Sequence, residues 1–81
     1  MTRYYFDIRD GDSFVADEEG LELGDVKAAE IEAAESLAEI AREVAPFEED
    51  QSIAIEVRTA DGPAFKAILS VEIAAVASTG R

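Results

Sequence analysis

The central segment of the chain reads VKAAEIEAAESLAEIAREVA from Val26 to Ala45. It is rich in good helix formers, and its apolar residues recur at three- and four-residue intervals. This spacing predicts one amphipathic helix whose apolar face carries Val26, Ala29, Ala33, Leu37, Ile40 and Val44. Asp25 is placed to cap its first turn, and Pro46 ends it.

Segments on both sides of this helix alternate between apolar and polar residues, as half-buried strands do. Strands are predicted at 3–9 and 13–16, around an Asp10-Gly11-Asp12 turn, with 21–23 leading into the helix. After a loop at 47–51, further strands are predicted at 52–58 and 65–71. We expect a longer loop at 59–63, because a glycine before proline fits a tight type I′ turn poorly. Residues 72–77 could extend the strand or begin a helical turn, and 78–81 should fray.

These elements predict one small α+β domain over residues 1–81, in the order β-β-α-β-β. The helix would cover one face of an antiparallel sheet and leave the other to solvent or to a partner. The residues expected on that open face are Tyr5, Asp7, Arg9, Glu56, Arg58, Lys66 and Ile68.

The composition argues against most kinds of enzyme. Among its 81 residues the chain has no histidine, cysteine or tryptophan, and 19 acidic residues against 7 basic ones give a formal net charge of −12. The side chains that usually titrate near neutrality, attack as thiolates or bind soft metals are therefore missing. We expect no catalytic residues, no cofactor and no metal site.

The net charge also bears on partners and location. A charge of −12 would repel nucleic acid and anionic membranes, so a basic protein surface is the favoured partner. The sequence offers no apolar leader and no run long enough to span a bilayer, so a cytoplasmic protein is expected.

Two surfaces of the predicted helix are candidates for contacts with other molecules. We call the first the acidic stripe; it comprises Glu32, Glu35, Glu39 and Glu43 and would dock on a basic partner or simply be a solvated face. We call the second the alanine flank; it comprises Ile31, Ala34, Ala38, Ala41 and Ala45 and could be the seam of a homodimer or the margin of the core.

Other features have ordinary structural interpretations. The carboxylates of 10–19 lack the ligand spacing of an EF-hand, because the fifth, sixth and twelfth positions counted from Asp10 are Phe14, Val15 and Leu21. They are expected to form two acidic turns. Glu30 falls within the apolar arc, and we expect it to be partly exposed near Lys27.

The segments RYYFDIRDG at 3–11 and DEEGLEL at 17–23 precede an Ala/Glu helix and then Ile55-Glu56-Val57 before Asp61-Gly62. With this pattern the chain resembles a family of small uncharacterised domains of rhizobia and related alphaproteobacteria, over residues 3 to about 71. No activity is established for that family, so the resemblance implies no functional residue. The chain departs from the pattern after Val71, where its end is more apolar.

A second resemblance, at the level of the fold, is to HicB-type antitoxins. Their N-terminal part also looks like an aromatic strand, a hairpin and a helix entered through Gly-Asp, and their toxin partner is basic. Here two more strands follow the helix, and no separate DNA-binding segment is evident.

The sequence therefore favours a non-enzymatic acidic interaction module that self-associates as a homodimer. One alternative is an antitoxin-like or stress-linked regulatory protein that neutralises a basic partner. Another is a carboxylate-based enzyme, which would need at least two acids facing a pocket.

Overall fold

Five strands and one helix form in the part of the chain that the computed structural model describes, residues 1–44, 51–72 and 74–77. Their order is β-β-β-α-β-β, and the predicted α+β architecture, with the helix on one face of an antiparallel sheet, is confirmed. The elements are β1 (Thr2–Asp10), β2 (Ser13–Val15), β3 (Leu21–Leu23), α1 (Val26–Val44), β4 (Gln51–Thr59) and β5 (Gly62–Val71).

The strands lie in the order β2-β1-β4-β5, and each pairs antiparallel with its neighbour. Residues 5–10 of β1 pair with residues 53–58 of β4. On its other edge, β1 pairs with β3 at residues 2–4 and with β2 at residues 8–10. Two short strands thus share one edge of β1, and the chain between them passes residues 5–7.

The core lies between α1 and the middle of the sheet. Ile53, Ile55 and Val57 on β4 are at most 1% exposed, and they face Ala29 and Ala33 of the helix, which are fully buried. Alanines at the contact allow the helix backbone to approach the sheet closely. Burying each of the three large aliphatic side chains contributes about 1.5–3 kcal/mol.

The predicted apolar face of the helix is correct along its middle and wrong at its start. Leu37 is buried and Ile40 packs against the core, whereas Val26 is 48% exposed. As the first residue of α1, Val26 lies at the margin of the contact with the sheet. For Val44 no side-chain position is described, and Ala45, Pro46 and the predicted loop at 47–50 lie outside the described residues.

The segment 21–23, predicted as a lead-in to the helix, is strand β3. It is too short for an alternating pattern to be recognised in the sequence. Tertiary pairing with residues 2–4 of β1 creates it. Similarly, Gln51 was expected in a loop and is the first residue of β4.

The longer loop expected at 59–63 is also wrong. Thr59 pairs with Gly62, so Ala60 and Asp61 form a two-residue turn. Gly62 adopts a φ of 121°, a conformation that glycine tolerates without steric cost. The register shifts by one residue after Val57, and this irregularity accommodates Pro63 near the start of β5.

β5 ends at Val71, and the described residues that follow do not extend it. Glu72 and residues 74–77 have neither strand nor helical structure, and all are exposed. The fraying expected at 78–81 concerns residues outside the described part of the chain.

The cap of α1 generates a first prediction. A carboxylate oxygen of Asp25 accepts a hydrogen bond from the Ala28 N–H at 2.9 Å, as an N-cap residue does. Asp25→Ala should lower the free energy of unfolding by about 1 kcal/mol, because that amide loses its acceptor. Urea unfolding followed by circular dichroism measures this. Asp12→Ala, which removes an exposed carboxylate from a turn, is the matched control; an equal loss in both variants would contradict the capping role.

Candidate functional site

The open face of the sheet holds a network of charged groups centred on Asp7. Strand alternation points this side chain away from the helix, yet it is only 5% exposed. Its carboxylate accepts hydrogen bonds from Arg58 Nε at 2.8 Å and Nη2 at 3.3 Å. Bonds between a guanidinium and a carboxylate are stronger than neutral ones and fix the orientation of both groups. The pair joins β1 to β4 on the side that the helix does not cover.

The same network holds the segment between β2 and β3. The Asp17 N–H donates to Asp7 Oδ1 at 2.9 Å, and the Asp17 carbonyl accepts from Arg58 Nη2 at 2.9 Å. Both the carboxylate and the guanidinium therefore bind the backbone of one loop residue. Asp7 and Arg58 fix the position of this loop, residues 16–20, against the sheet.

The Asp17 side chain takes the place of strand pairing at this point. Its carboxylate accepts hydrogen bonds from the N–H groups of Phe6, Glu19 and Gly20, each at 3.1 Å. Burial raises the pKa of this carboxyl, but the three amide bonds and the nearby Arg58 outweigh it, so the pKa of Asp17 lies below its ordinary value. The unpaired Phe6 amide at the edge of β1 is thereby satisfied.

Arg3 on β1 holds the end of the loop that leads into β3. Arg3 donates to the Glu19 carbonyl at 2.6 Å and forms an ion pair with Glu22 at 3.0 Å. Gly20 has a φ of 73°, and a Cβ there would come within 2.8 Å of Arg3 Cγ and 2.9 Å of Tyr5 Cε2. This position therefore requires glycine for two reasons, backbone conformation and close approach.

Aromatic rings complete the open face. The Arg58 guanidinium lies 4.6 Å from the centre of the Tyr5 ring, and the Arg9 guanidinium lies 4.5 Å from that of Phe14. Arg9 also bonds the Glu56 carboxylate at 2.8 Å; this contact raises the pKa of Arg9 and lowers that of Glu56. The arginines of this face are thus already matched by acids of the same chain.

A shallow cleft of about 410 Å³ opens beside the network, near the irregular start of β5. Its lining includes Asp7, Glu56, Arg58, Phe65 and Lys66. Asp7 is bonded by Arg58 and by a backbone amide, and Glu56 is bonded by Arg9, so neither acid projects freely into the cleft. This arrangement suits a structural role better than proton transfer.

The acidic stripe is on the surface of α1. Glu35, Glu39 and Glu43 are exposed and Glu32 is half-buried. In residues 1–44, 51–72 and 74–77, none of these four carboxylates takes part in an ion pair. Three of them border a shallow depression of about 460 Å³ that also contacts Arg42. The stripe is therefore a surface with unmatched negative charge.

The alanine flank is partly accessible. Ile31 is 53% exposed, Ala34 and Ala38 are exposed, and Ala41 is half-buried, while Ala45 lies outside the described residues. Glu30, expected near Lys27 at the rim of the core, is exposed and lies 3.9 Å from the Lys27 amine. Four members of the flank are thus placed along one side of α1.

The sequence places Asp7 and Arg58 on the open face, where charges could pair across strands, but it does not indicate which charges pair or that this pair binds the loop. The strand register puts Tyr5, not Asp7, directly opposite Arg58, so the pair is diagonal. The two acidic turns that the sequence predicts, at 10–12 and 17–20, are not equivalent. Asp17 of the second turn is part of the hydrogen-bond network. Within the described ranges, no group of three or more acidic side chains is arranged to hold a metal ion.

Comparison with known proteins identifies a family. The model of a family described as "Domain of unknown function (DUF6894)" matches residues 3–73, which is most of the chain. This confirms the expected resemblance to an uncharacterised domain family and extends it slightly beyond Val71. None of the curated proteins and none of the solved structures matches the chain.

In the described residues, no helix has the length and apolar character needed to cross a membrane.

The network generates a prediction about stability. Asp7→Ala leaves the Asp17 amide and the Arg58 guanidinium without their shared acceptor, which should cost about 1–3 kcal/mol of unfolding free energy. Glu56→Ala, which removes the half-buried partner of the exposed Arg9 side chain, should cost less. Urea unfolding of the two variants tests this order; equal losses would show that Asp7 does not hold the loop.

A third prediction concerns the pH dependence of stability. A carboxyl whose pKa is lower in the folded than in the unfolded state contributes stability above the unfolded value and loses it as pH falls through the folded value. For Asp17 this loss should begin below about pH 4. Asp17→Asn should therefore be less stable than the native chain at pH 7, and the difference should shrink between pH 4 and pH 2. A constant difference, measured by urea unfolding at each pH, would contradict this.

Proposed function

We propose that this chain, which belongs to the DUF6894 family of domains of unknown function, is a non-enzymatic interaction module that binds a basic protein surface through its acidic stripe. One observation supports this above the others. The arginines of the open sheet face are matched by carboxylates, whereas the four glutamates of the stripe have no ion-pair partner in the described part of the chain.

The stripe has the dimensions of a docking surface for a basic helix or loop. From Glu32 to Glu43 it runs about 16 Å along α1 at a rise of about 1.5 Å per residue. Like charges one turn apart on a helix repel each other, as Glu35 and Glu39 do. A partner that places lysine or arginine among them relieves this repulsion, which adds to the direct attraction.

The overall charge supports the same proposal. A net charge of −12 attracts a basic partner from a distance and accelerates association, but salt at about 0.15 M screens this attraction beyond about 8 Å. Binding through the stripe should therefore weaken steeply as salt rises. A contact driven by apolar burial would not show this dependence.

Further parts of the proposal rest on the sequence. A cytoplasmic location in an alphaproteobacterium is supported by the resemblance described above and by the absence of cysteine. Self-association is supported by the small size of the core. A regulatory role of the antitoxin kind, in which the stripe neutralises a basic partner, is the alternative that the same surface would serve.

The stripe can be tested by reversing its charge. The double variant E35K/E39K should lose a partner that the native chain retains from a bacterial lysate at 50 mM salt, because the partner's cations would then face lysines. The matched control is D12K/E18K, which changes the net charge equally at two exposed acidic positions in the loops beside β2. It should retain the partner.

Quantitative mass spectrometry of the retained proteins gives the readout, at 50 and 300 mM salt. A protein lost only with E35K/E39K and released at 300 mM salt supports the proposal. Equal loss with both variants would mean that net charge alone governs capture. Retention by E35K/E39K would place the binding surface elsewhere on the domain.

A further inference from the structure

The outer edge of β5 is a long strand edge that lacks a partner in the described part of the chain. β5 is the last strand of the sheet, it is ten residues long, and no described strand pairs with its outer side. Such an edge presents backbone donors and acceptors that another strand can bind. Natural edges are usually shorter, charged or covered.

The strand register shows which backbone groups are available. The Phe6 N–H points away from β4, because it bonds Asp17 on the other side of β1. Its partner Val57 must then direct its backbone groups toward Phe65 on β5. By alternation, Ala67 and Leu69 also bond β4, and the backbone groups of Lys66, Ile68 and Ser70 point outward.

Two copies of this chain, at −12 each, repel one another least where acidic residues are sparse, and the edge of β5 is such a place. Residues 62–77 contain two charged side chains, Lys66 and Glu72, and every other acidic residue of the sequence precedes Gly62. Two copies that approach through β5 therefore meet along a segment without net charge. Ile68, 61% exposed on this strand, would gain apolar burial there.

We propose that β5 pairs antiparallel with β5 of a second copy, about a two-fold axis at Leu69. This register sets Lys66 opposite Glu72 of the other copy, twice by symmetry, and Ile68 opposite Ser70. Each opposite-charge pair across strands stabilises the association. The proposal specifies the surface for the self-association proposed above.

The irregular start of β5 agrees with this register. The shift next to Pro63 and the turn before Gly62 disrupt the strand at its first residues. Residues 65–71 pair with β4 in an unbroken register and form the regular part of the edge. The proposed contact uses residues 66–71, which lie beyond the irregularity, and Glu72, which follows β5 and would join the strand on pairing.

Cysteine cross-linking tests the register, since the chain has no cysteine of its own. In Leu69→Cys, residue 69 of one copy would lie opposite residue 69 of the other, so that two thiols face each other. This pair would exchange no backbone hydrogen bonds, and in such pairs the Cα atoms lie about 4.5 Å apart. That distance allows a disulfide. Ala67→Cys is the matched control on the same face, because Ala67 would lie opposite Val71 and about 13 Å from its own copy.

Mild oxidation should therefore cross-link Leu69→Cys to a dimer and leave Ala67→Cys monomeric on a non-reducing gel. Cross-linking of both variants to the same extent would indicate random collision and overturn the register. If neither variant cross-links at a protein concentration above 100 times the measured dimer Kd, the proposed edge contact is overturned. It is also overturned if the protein forms no dimer at all.

A charge swap tests the same contact without cysteine. Lys66→Glu and Glu72→Lys each place two like charges opposite each other and should weaken dimerisation about tenfold in Kd by sedimentation equilibrium. The double variant K66E/E72K restores opposite charges at the native net charge of −12 and should restore the native Kd. A native chain that stays monomeric, or single variants with the native Kd, would contradict the proposal.

These outcomes are separable from those of the stripe. The swap variants leave all four stripe glutamates intact, so a basic partner should still be captured when the dimer is lost. A dimer unaffected by the swaps but broken by Ala38→Glu would place self-association on the alanine flank and overturn the edge proposal. Loss of capture with E35K/E39K in a chain that still dimerises would concern the stripe alone.

Discussion

In the part of the chain that the structure describes, a single helix provides the second layer, and the arrangement of the sheet depends on that constraint. The helix packs on β3, β4 and β5, and its alanines lie over the central aliphatic residues Ile53, Ile55 and Val57. Coverage is incomplete toward β2, where Val15 is 58% exposed. The central strand β4 is therefore the most buried. Near the edges of the sheet, both of its faces remain accessible to solvent or to other molecules.

The face opposite the helix is organised by hydrogen bonds, because none of the described helices and strands packs over it. Asp7 joins β1, β4 and the loop at 16–20, since its carboxylate accepts from both Arg58 and the Asp17 amide. Removing a carboxylate from water costs free energy unless strong donors replace the water. Here a guanidinium and a backbone amide do so, and the loop gains a fixed position in return. The network explains Asp17 and Gly20 of the DEEG segment as structural residues, whereas the side chains of Glu18 and Glu19 are exposed.

Sequence patterns predicted the elements that repeat a period over many residues. Alternation located most of β1 and β4, and helical spacing located α1, because each signal accumulates over seven or more residues. The missed features depend on contacts between distant segments. β3 is three residues long and exists through pairing with β1, and the tight turn before Gly62 depends on the shifted register of β5. Likewise, Asp7 and Arg58 are 51 residues apart, and no local pattern indicates that they meet.

The two proposed surfaces are compatible because charge is unevenly distributed along the chain. The acidic stripe lies on the helix, whereas the outer edge of β5 carries one lysine and, just beyond it, one glutamate. In an antiparallel pairing, side chains opposite each other lie on the same face, so the helices of both copies would lie on one side of the joined sheet. Both stripes would then face the same direction. A partner with two basic segments could engage both, and the second contact would form at high effective concentration, which increases affinity without any new kind of contact.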